Sequence, residues 1–262
     1  MLDRERLKAI ITGAGALAME HWRHAGTSLE VWEKSPNNPV SEADLAVDAY
    51  LRAALGALLP AAGWLSEETV DDPAQRAGSL VWVVDPIDGT RDFIAGRTGW
   101  AVSVALVSAG RPLLASLYAP ARGGPAGEYW HAEAGHGAWR NGVALTASRR
   151  QQLAGARVPT RALAPEDADL TMVEQPNSIA LRIAMVAADE ADLVATMRWG
   201  NEWDIAAACL IAREAGAAVS DALGDKLNYN KLRPQAFGVL VSAPAIHAAA
   251  IERLGPRAQR IV

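Results

Sequence analysis

The segment Leu80-Val81-Trp82-Val83-Val84-Asp85-Pro86-Ile87-Asp88-Gly89-Thr90 constrains this chain more than any other. Its apolar run reads as a buried strand. The run stops at two carboxylates three residues apart, followed at once by a glycine and a hydroxyl. Pro86 pushes Asp85 toward an extended conformation, so strand geometry persists through the first acid. Gly89 permits a turn that a side chain would forbid. Such a strand end gathers two carboxylates, a backbone carbonyl and amide groups. Hard divalent cations take oxygen ligands of that kind, and phosphate oxygens take amides, above all where a helix begins. A solvated turn is the plainer reading of an isolated Asp-Gly. The full hexapeptide after an apolar strand favours a site.

The chain of 262 residues can bury a substantial core, as one large domain or two. Its net charge of −5 and lack of a basic cluster argue against a nucleic-acid polymer as partner. The single cysteine, Cys209, excludes an internal disulfide and a cysteine-based zinc site. It lies in an alanine-rich helical pattern that suggests buried packing. Residues 1–6 are charged and lack the apolar core of a signal peptide. No apolar run reaches transmembrane length. The expectation is a cytoplasmic protein without a membrane partner.

Residues 3–24 carry a helical stripe of Leu7, Ile10, Ile11, Ala14, Leu17 and Ala18. Gly13 to Ala18 mimics a dinucleotide fingerprint, but that fingerprint needs a strand before it. Small residues at a helix contact are the better reading. His21 and His24, one turn apart, suit an exposed helix end better than a metal pair. Residues 33–40 read as a turn-rich loop. A helix follows over about 41–59, with Ser41 and Asp44 spaced as a capping box. Gly63 to Glu68 reads as a short strand ending in paired acids. Alternating patterns at 100–107, 113–118, 128–131 and 137–139 predict an antiparallel meander. Beyond a soft boundary near 147, the pattern changes to α/β layering. Short strands near 157–158 and 170–173 alternate with helices at about 178–187 and 203–215. Strands at 217–221 and 237–242 follow, the latter leading into a helix near Pro244. The organisation is thus an N-terminal α+β half, residues 1–147, with the antiparallel sheet and most candidate ligands. A C-terminal α/β half, residues 148–262, supplies the rest.

Glu67, Asp85, Asp88 and Asp204 occupy positions that could converge. Glu67 and Asp85 each end a predicted strand, and Asp204 opens a helical run. Each alone has a plain explanation, as a turn acid or a helix cap. Clustered, they would repel one another strongly without a cation. Two or three divalent metals would relieve that repulsion, clamp a phosphate and lower the pKa of a bound water.

Leu-Ser-Glu-Glu at 65–68, Asp-Pro-Ile-Asp-Gly-Thr at 85–90 and Trp-Asp-Ile-Ala-Ala at 203–207 stand in order along the chain, with Lys34 and Pro-Val-Ser-Glu-Ala-Asp at 39–44 upstream. In these motifs the sequence resembles the inositol monophosphatase family of magnesium-dependent, lithium-sensitive phosphatases. The resemblance implies a mixed α+β and α/β fold, a five-layered α-β-α-β-α sandwich like that of fructose 1,6-bisphosphatase, in a homodimer. It implies one Mg²⁺ on Glu67, Asp85 and the Ile87 carbonyl. A second would sit on Asp85, Asp88 and Asp204, with Glu67 also near a weaker third. Mn²⁺ would substitute, and Li⁺ and Ca²⁺ would inhibit. The amides of Gly89 and Thr90 would bind phosphate. Asp44 and the Thr90 hydroxyl would orient and deprotonate the attacking water, with Glu67 the third catalytic residue.

The substrate implied is a small phosphate monoester. Leu-Ser-Glu-Glu and Leu227-Asn228-Tyr229-Asn230 look like the bacterial 3′(2′),5′-bisphosphate nucleotidase branch. The inositol branch usually places an acid shortly before Trp-Asp, to bind ring hydroxyls. Here either Arg198 or Glu202 stands at the equivalent place. An arginine suits a second phosphate better than a polyol, and Asn177, Ser178 and Arg182 could line the same pocket. The favoured activity is hydrolysis of adenosine 3′,5′-bisphosphate, with inositol-1-phosphate or another sugar phosphate as the alternative. A non-catalytic, RNA-polymerase-associated protein on the same fold would have no need of four clustered carboxylates. Serine or cysteine hydrolysis finds no motif.

Overall fold

The structure, a computed structural model, describes residues 2–22, 29–36 and 38–261. In chain order its helices are α1 (Arg4–Trp22), α2 (Glu42–Leu58), α3 (Thr90–Ile94), α4 (Ile179–Ala187), α5 (Glu202–Glu214) and α6 (His247–Ala258). Its strands are β1 (Val31–Ser35), β2 (Asn38–Ser41), β3 (Gly63–Ser66), β4 (Leu80–Asp88), β5 (Ala101–Ser108), β6 (Arg111–Ala119) and β7 (Glu128–Glu133). There follow β8 (Gly137–Arg140), β9 (Val143–Ala144), β10 (Arg157–Pro159), β11 (Thr171–Val173), β12 (Leu193–Asn201), β13 (Ala218–Ser220) and β14 (Gln235–Ser242).

Strand β4 explains the layering. Its side chains alternate between two cores, as a strand covered on both faces requires. Trp82 and Val84 pack with Leu7, Ile11, Val47 and Leu51 of α1 and α2. Val81 and Val83 pack with Leu181, Ile183, Ile205 and Leu210 of α4 and α5. The strand belongs to a seven-stranded sheet of order β3-β4-β5-β6-β7-β8-β9, in which β3 is parallel to β4 and every other pair is antiparallel. On the far side of α4 and α5 lies a three-stranded antiparallel sheet, β12-β14-β13, whose Val194, Val239 and Val241 join the same core. Its other face packs Leu193 and Leu240 against Ile246, Ala250 and Leu254 at the α6 end. The result is the α-β-α-β-α sandwich. The central core draws on residues from both sides of position 147.

Gly13 and Gly15 sit where helix meets neighbour. A Cβ on Gly13 would stand 2.4 Å from the Tyr50 hydroxyl, and one on Gly15 2.4 Å from the Tyr118 ring. Cys209 is buried in α5, its thiol pushed up to about 11 by burial. His21 Nδ1 lies 3.7 Å from Glu42 Oε1, while His24 falls outside the described residues. No helix among the described residues is long and apolar enough to cross a membrane.

Two expectations are corrected. Of residues 33–40, expected as a loop, 33–35 and 38–40 lie on the paired antiparallel strands β1 and β2. Every β1 residue is exposed, so no alternation marks it in the sequence. The interval between α4 and α5, where no strand is predicted, holds β12. Only Leu193 and Val194 of β12 are buried, and its pairing is broken between Thr196 and Trp199, which leaves it without a clean period.

Asp192 ties β10 to the second sheet. It accepts bonds from the Arg157 amide (2.8 Å), Nε (3.0 Å) and Nη2 (2.7 Å), and from Ser148 Oγ. Burial alone would raise its pKa, but the Arg157 hydrogen bonds outweigh it and hold it down at about 2. A carboxylate with a depressed folded pKa stabilises the fold above its ordinary pKa, and that contribution fades as pH falls toward about 2. Asp192→Asn is therefore expected to cost about 1 to 2 kcal/mol at pH 7 in denaturant unfolding, since it removes the charge from these hydrogen bonds while Arg157 keeps Asp189 as a partner. The loss should shrink steadily below pH 4.

Candidate active site

Strand β4 runs unbroken through Asp85, Pro86 and Ile87 to Asp88, with its pairing to β5 displaced between Asp85 and Asp88. That irregularity lets the two acids depart from strict alternation. Gly89 then takes φ +99°, and α3 begins at Thr90. A Cβ at Gly89 would lie 2.7 Å from the Gly99 carbonyl and 2.9 Å from the Ser178 amide, so only glycine fits the turn.

A cleft of about 310 Å³ opens over this strand end. Of the predicted residues, Glu67, Asp85, Ile87, Asp88, Gly89, Thr90, Arg182, Arg198 and Asp204 line it. Glu67 follows β3, and Asp204 stands in the first turn of α5. Carboxylate oxygens of Glu67, Asp85 and Asp204 lie within 4.8 Å of one another. Burial foremost, and then the neighbouring acids, hold Asp85 and Asp204 well above the usual carboxylate range. Three hard oxygen donors, destabilised by one another's charge, suit a divalent cation such as Mg²⁺.

Asp88 faces another way. Its Oδ2 accepts from Ser178 Oγ (2.5 Å) and the Ala180 amide (2.7 Å), and its Oδ1 lies 3.4 Å from the Ile179 amide. It therefore caps α4 while lining the cleft. Burial still lifts it to about 6 against those bonds. Ser178, expected beside the substrate, is fully buried behind the cleft and holds Asp88. Its neighbours Asn177 and Ile179 reach the cleft instead.

Asp44 reaches the site through Thr90. Its Oδ2 accepts from the Ser41 amide (2.8 Å) and Ser41 Oγ (2.6 Å), in the spacing of the expected capping box. Its Oδ1 is left facing Thr90 Oγ1 at 3.4 Å. The same hydroxyl lies 3.1 Å from the Ile87 carbonyl. Burial lifts Asp44 to about 6, a suitable value for a group that takes a proton near neutral pH.

Lys34, on the hairpin, donates to both Glu67 Oε1 and Glu68 Oε1 at 2.8 Å. Burial raises Glu68 to about 7 despite this partner. Asn38 and Pro39 of β2 also line the cleft. Among the residues that sequence reasoning assigned no role, Trp199 stands out, exposed at the cleft mouth. Its place beside Arg198, shortly before Trp-Asp, was the available signal.

Geometry separates Arg198 from Glu202. Glu202 is fully buried and turned inward, accepting from the amides of Asn230 (2.5 Å) and Lys231 (3.3 Å). Arg198 lines the cleft. Half-buried Arg182 donates only to the carbonyls of Ser178 (3.3 Å) and Asn177 (2.9 Å). Among the described residues neither arginine closes an ion pair, although Asp88 and Asp92 attract Arg182 and Asp204 attracts Arg198 at longer range.

A profile of the inositol monophosphatase family matches residues 4–259. The chain belongs to this family. It is similar to the 3′(2′),5′-bisphosphate nucleotidase CysQ of Escherichia coli K12, at 32% identity over 215 residues, which cover 77% of this chain and 83% of that protein. It is similar to the Nus factor SuhB of Pseudomonas aeruginosa, at 33% identity over 218 residues, covering 75% and 77%. Among solved structures, the IMPase of Thermotoga maritima superposes with a TM-score of 0.83 at 26% identity, covering 98% of this chain and all of that one. Membership makes the chain a phosphatase of the inositol monophosphatase superfamily. Its acid cluster is one that could hold the metal on which members generally depend.

Proposed function

We propose that this family member is a Mg²⁺-dependent phosphomonoesterase that hydrolyses adenosine 3′,5′-bisphosphate to AMP and phosphate. The observation that supports this substrate is the pair Arg182 and Arg198. Both line the cleft that holds the acid cluster, near enough for Arg182 to feel the charge of Asp88 and Arg198 that of Asp204, yet among the described residues neither closes an ion pair with a carboxylate. Guanidinium groups placed so are suited to a second phosphate. A polyol would call for an acid to accept its hydroxyl protons, and the one candidate, Glu202, is turned inward. The similarity to CysQ points the same way.

In this reading Glu67, Asp85, Asp204 and the Ile87 carbonyl, with Asp88, would hold the metal. Mg²⁺ bound there would polarise the phosphate and favour hydroxide at its water. Thr90 Oγ1 and Asp44 Oδ1 orient the attacking water and take its proton. The first-turn amides of Gly89 and Thr90 bind phosphate oxygens. The water oxygen bonds to phosphorus as the ester P–O bond breaks, and the departing oxygen takes a proton from a solvent water, so that the nucleotide leaves with a free hydroxyl.

The test is phosphate release from adenosine 3′,5′-bisphosphate, inositol-1-phosphate and fructose 1,6-bisphosphate, with and without Mg²⁺. Arg198→Glu is expected to raise KM for the nucleotide about tenfold or more, because a cation facing a phosphate becomes a like charge. KM for inositol-1-phosphate should change far less. A wild-type preference for inositol-1-phosphate, or equal KM changes, would transfer the chain to the inositol branch. No turnover of any ester would favour a non-catalytic role.

A further inference from the structure

Trp199 is 58% exposed, although tryptophan is a residue that folding usually covers. It stands on β12 at the mouth of the cleft, between Arg198 and Gly200, which also line it. Its ring is held. Phe237, its cross-strand partner on β14, braces it edge to face, with centroids 5.4 Å apart and planes at 65°. Phe237 is itself buried, so the brace belongs to the core rather than to a mobile surface. The break in β12–β14 pairing between Thr196 and Trp199 sets this end of the strand apart from its regular half. A large aromatic surface is thus fixed in place, left in water, and set beside guanidinium groups suited to phosphate.

The surroundings narrow what can cover it. The cleft that Trp199 lines is mostly polar, with Arg198, Asn201 and Asn38 among its walls and Pro39 and Ile179 the apolar exceptions. An aliphatic ligand would find little apolar surface beyond the ring. A flat aromatic ring gains most from a single π face, with its polar edges left to water and to such neighbours. We propose that Trp199 is the platform on which the base of the substrate stacks, so that the cleft selects phosphate esters carrying an aromatic base over those with the same phosphates and no base. This rests on the nucleotidase reading above and adds to it a residue that decides specificity. The phosphates are held at the acid cluster and by the arginines; the base is read at the rim.

The test compares adenosine 3′,5′-bisphosphate with reduced abasic ribose 3,5-bisphosphate, which keeps both phosphates and lacks the base. The quantity read is the ratio of the two kcat/KM values. In Trp199→Ala the ratio should fall about ten- to a hundredfold, the range expected for one lost base stack, mainly through KM for the nucleotide. In Trp199→Phe most of the ratio should return, because a π face is restored. An unchanged ratio in Trp199→Ala overturns the stacking platform while leaving the nucleotidase reading in place. Equal losses for both compounds also overturn it, since they assign Trp199 to folding or assembly. Failure of the wild type to hydrolyse adenosine 3′,5′-bisphosphate overturns the nucleotidase reading and the platform together.

Discussion

Replacing Asp85 with asparagine is expected to cut Mg²⁺-supported phosphate release by at least about a hundredfold, the scale of a lost source of transition-state charge stabilisation. Asp85 is central to the cluster: its oxygens approach those of Glu67 and Asp204, and burial with these neighbours opposes its ionisation. The substitution is isosteric. The asparagine carbonyl can still accept the Ile87 amide, as Asp85 Oδ1 does at 3.0 Å. The metal-free variant should therefore melt no lower than wild type, since one source of repulsion is gone. Mg²⁺ should raise the melting temperature of wild type by mass action and that of the variant far less. Full turnover of wild type in excess chelator would refute the metal role outright. Asp88→Asn is a less clean probe, because Asp88 also caps α4 and its replacement disturbs that helix start.

The second large effect is expected at Thr90 and Asp44. Thr90→Ala and Asp44→Asn should each lower kcat by about a hundredfold or more, in the range of a lost acid–base group, with little change in the Mg²⁺ concentration needed for activation. The double variant should be little worse than either single one, because the two oxygens face each other and act on one water. Losses that multiply would assign them separate roles. Asp44→Asn also alters the cap of α2, so unfolding must be measured beside kcat.

Most of the fold was legible wherever burial imposed a period. The meander from β4 to β8, the helices α2, α4 and α5, and the small-residue contact of α1 all follow from side chains facing a core. The hairpin of β1 and β2 was not legible, because all of β1 is exposed and Pro36 and Pro39 read as breakers. Strand β12 was hidden by its short buried stretch, its broken pairing and a polar end that passes directly into α5. In the candidate site, Asp85, Asp88, Gly89 and Thr90 were marked by one motif, and Glu67 and Asp204 by their places at element ends. What sequence could not supply was direction. Ser178 and Glu202 stand next to cleft residues yet point inward, toward Asp88 and the 230–231 amides. A neighbour in sequence carries no information about which side of the backbone a side chain leaves from until burial on each side is known.

The three acids of the cluster come from separate pieces of architecture. Glu67 follows the edge strand β3, Asp85 lies on β4, and Asp204 opens α5 in the layer beneath. Contacts between segments so far apart along the chain are slow to form and depend on nearly everything between them. The repulsion between Glu67 and Asp85 arises as β3 pairs with β4, and that of Asp204 is added only when the helical layer docks on the sheet, so the centre resists that docking. A divalent ion present during refolding should remove that resistance. Refolding in Mg²⁺ should then recover the native state faster than refolding in chelator followed by addition of the metal.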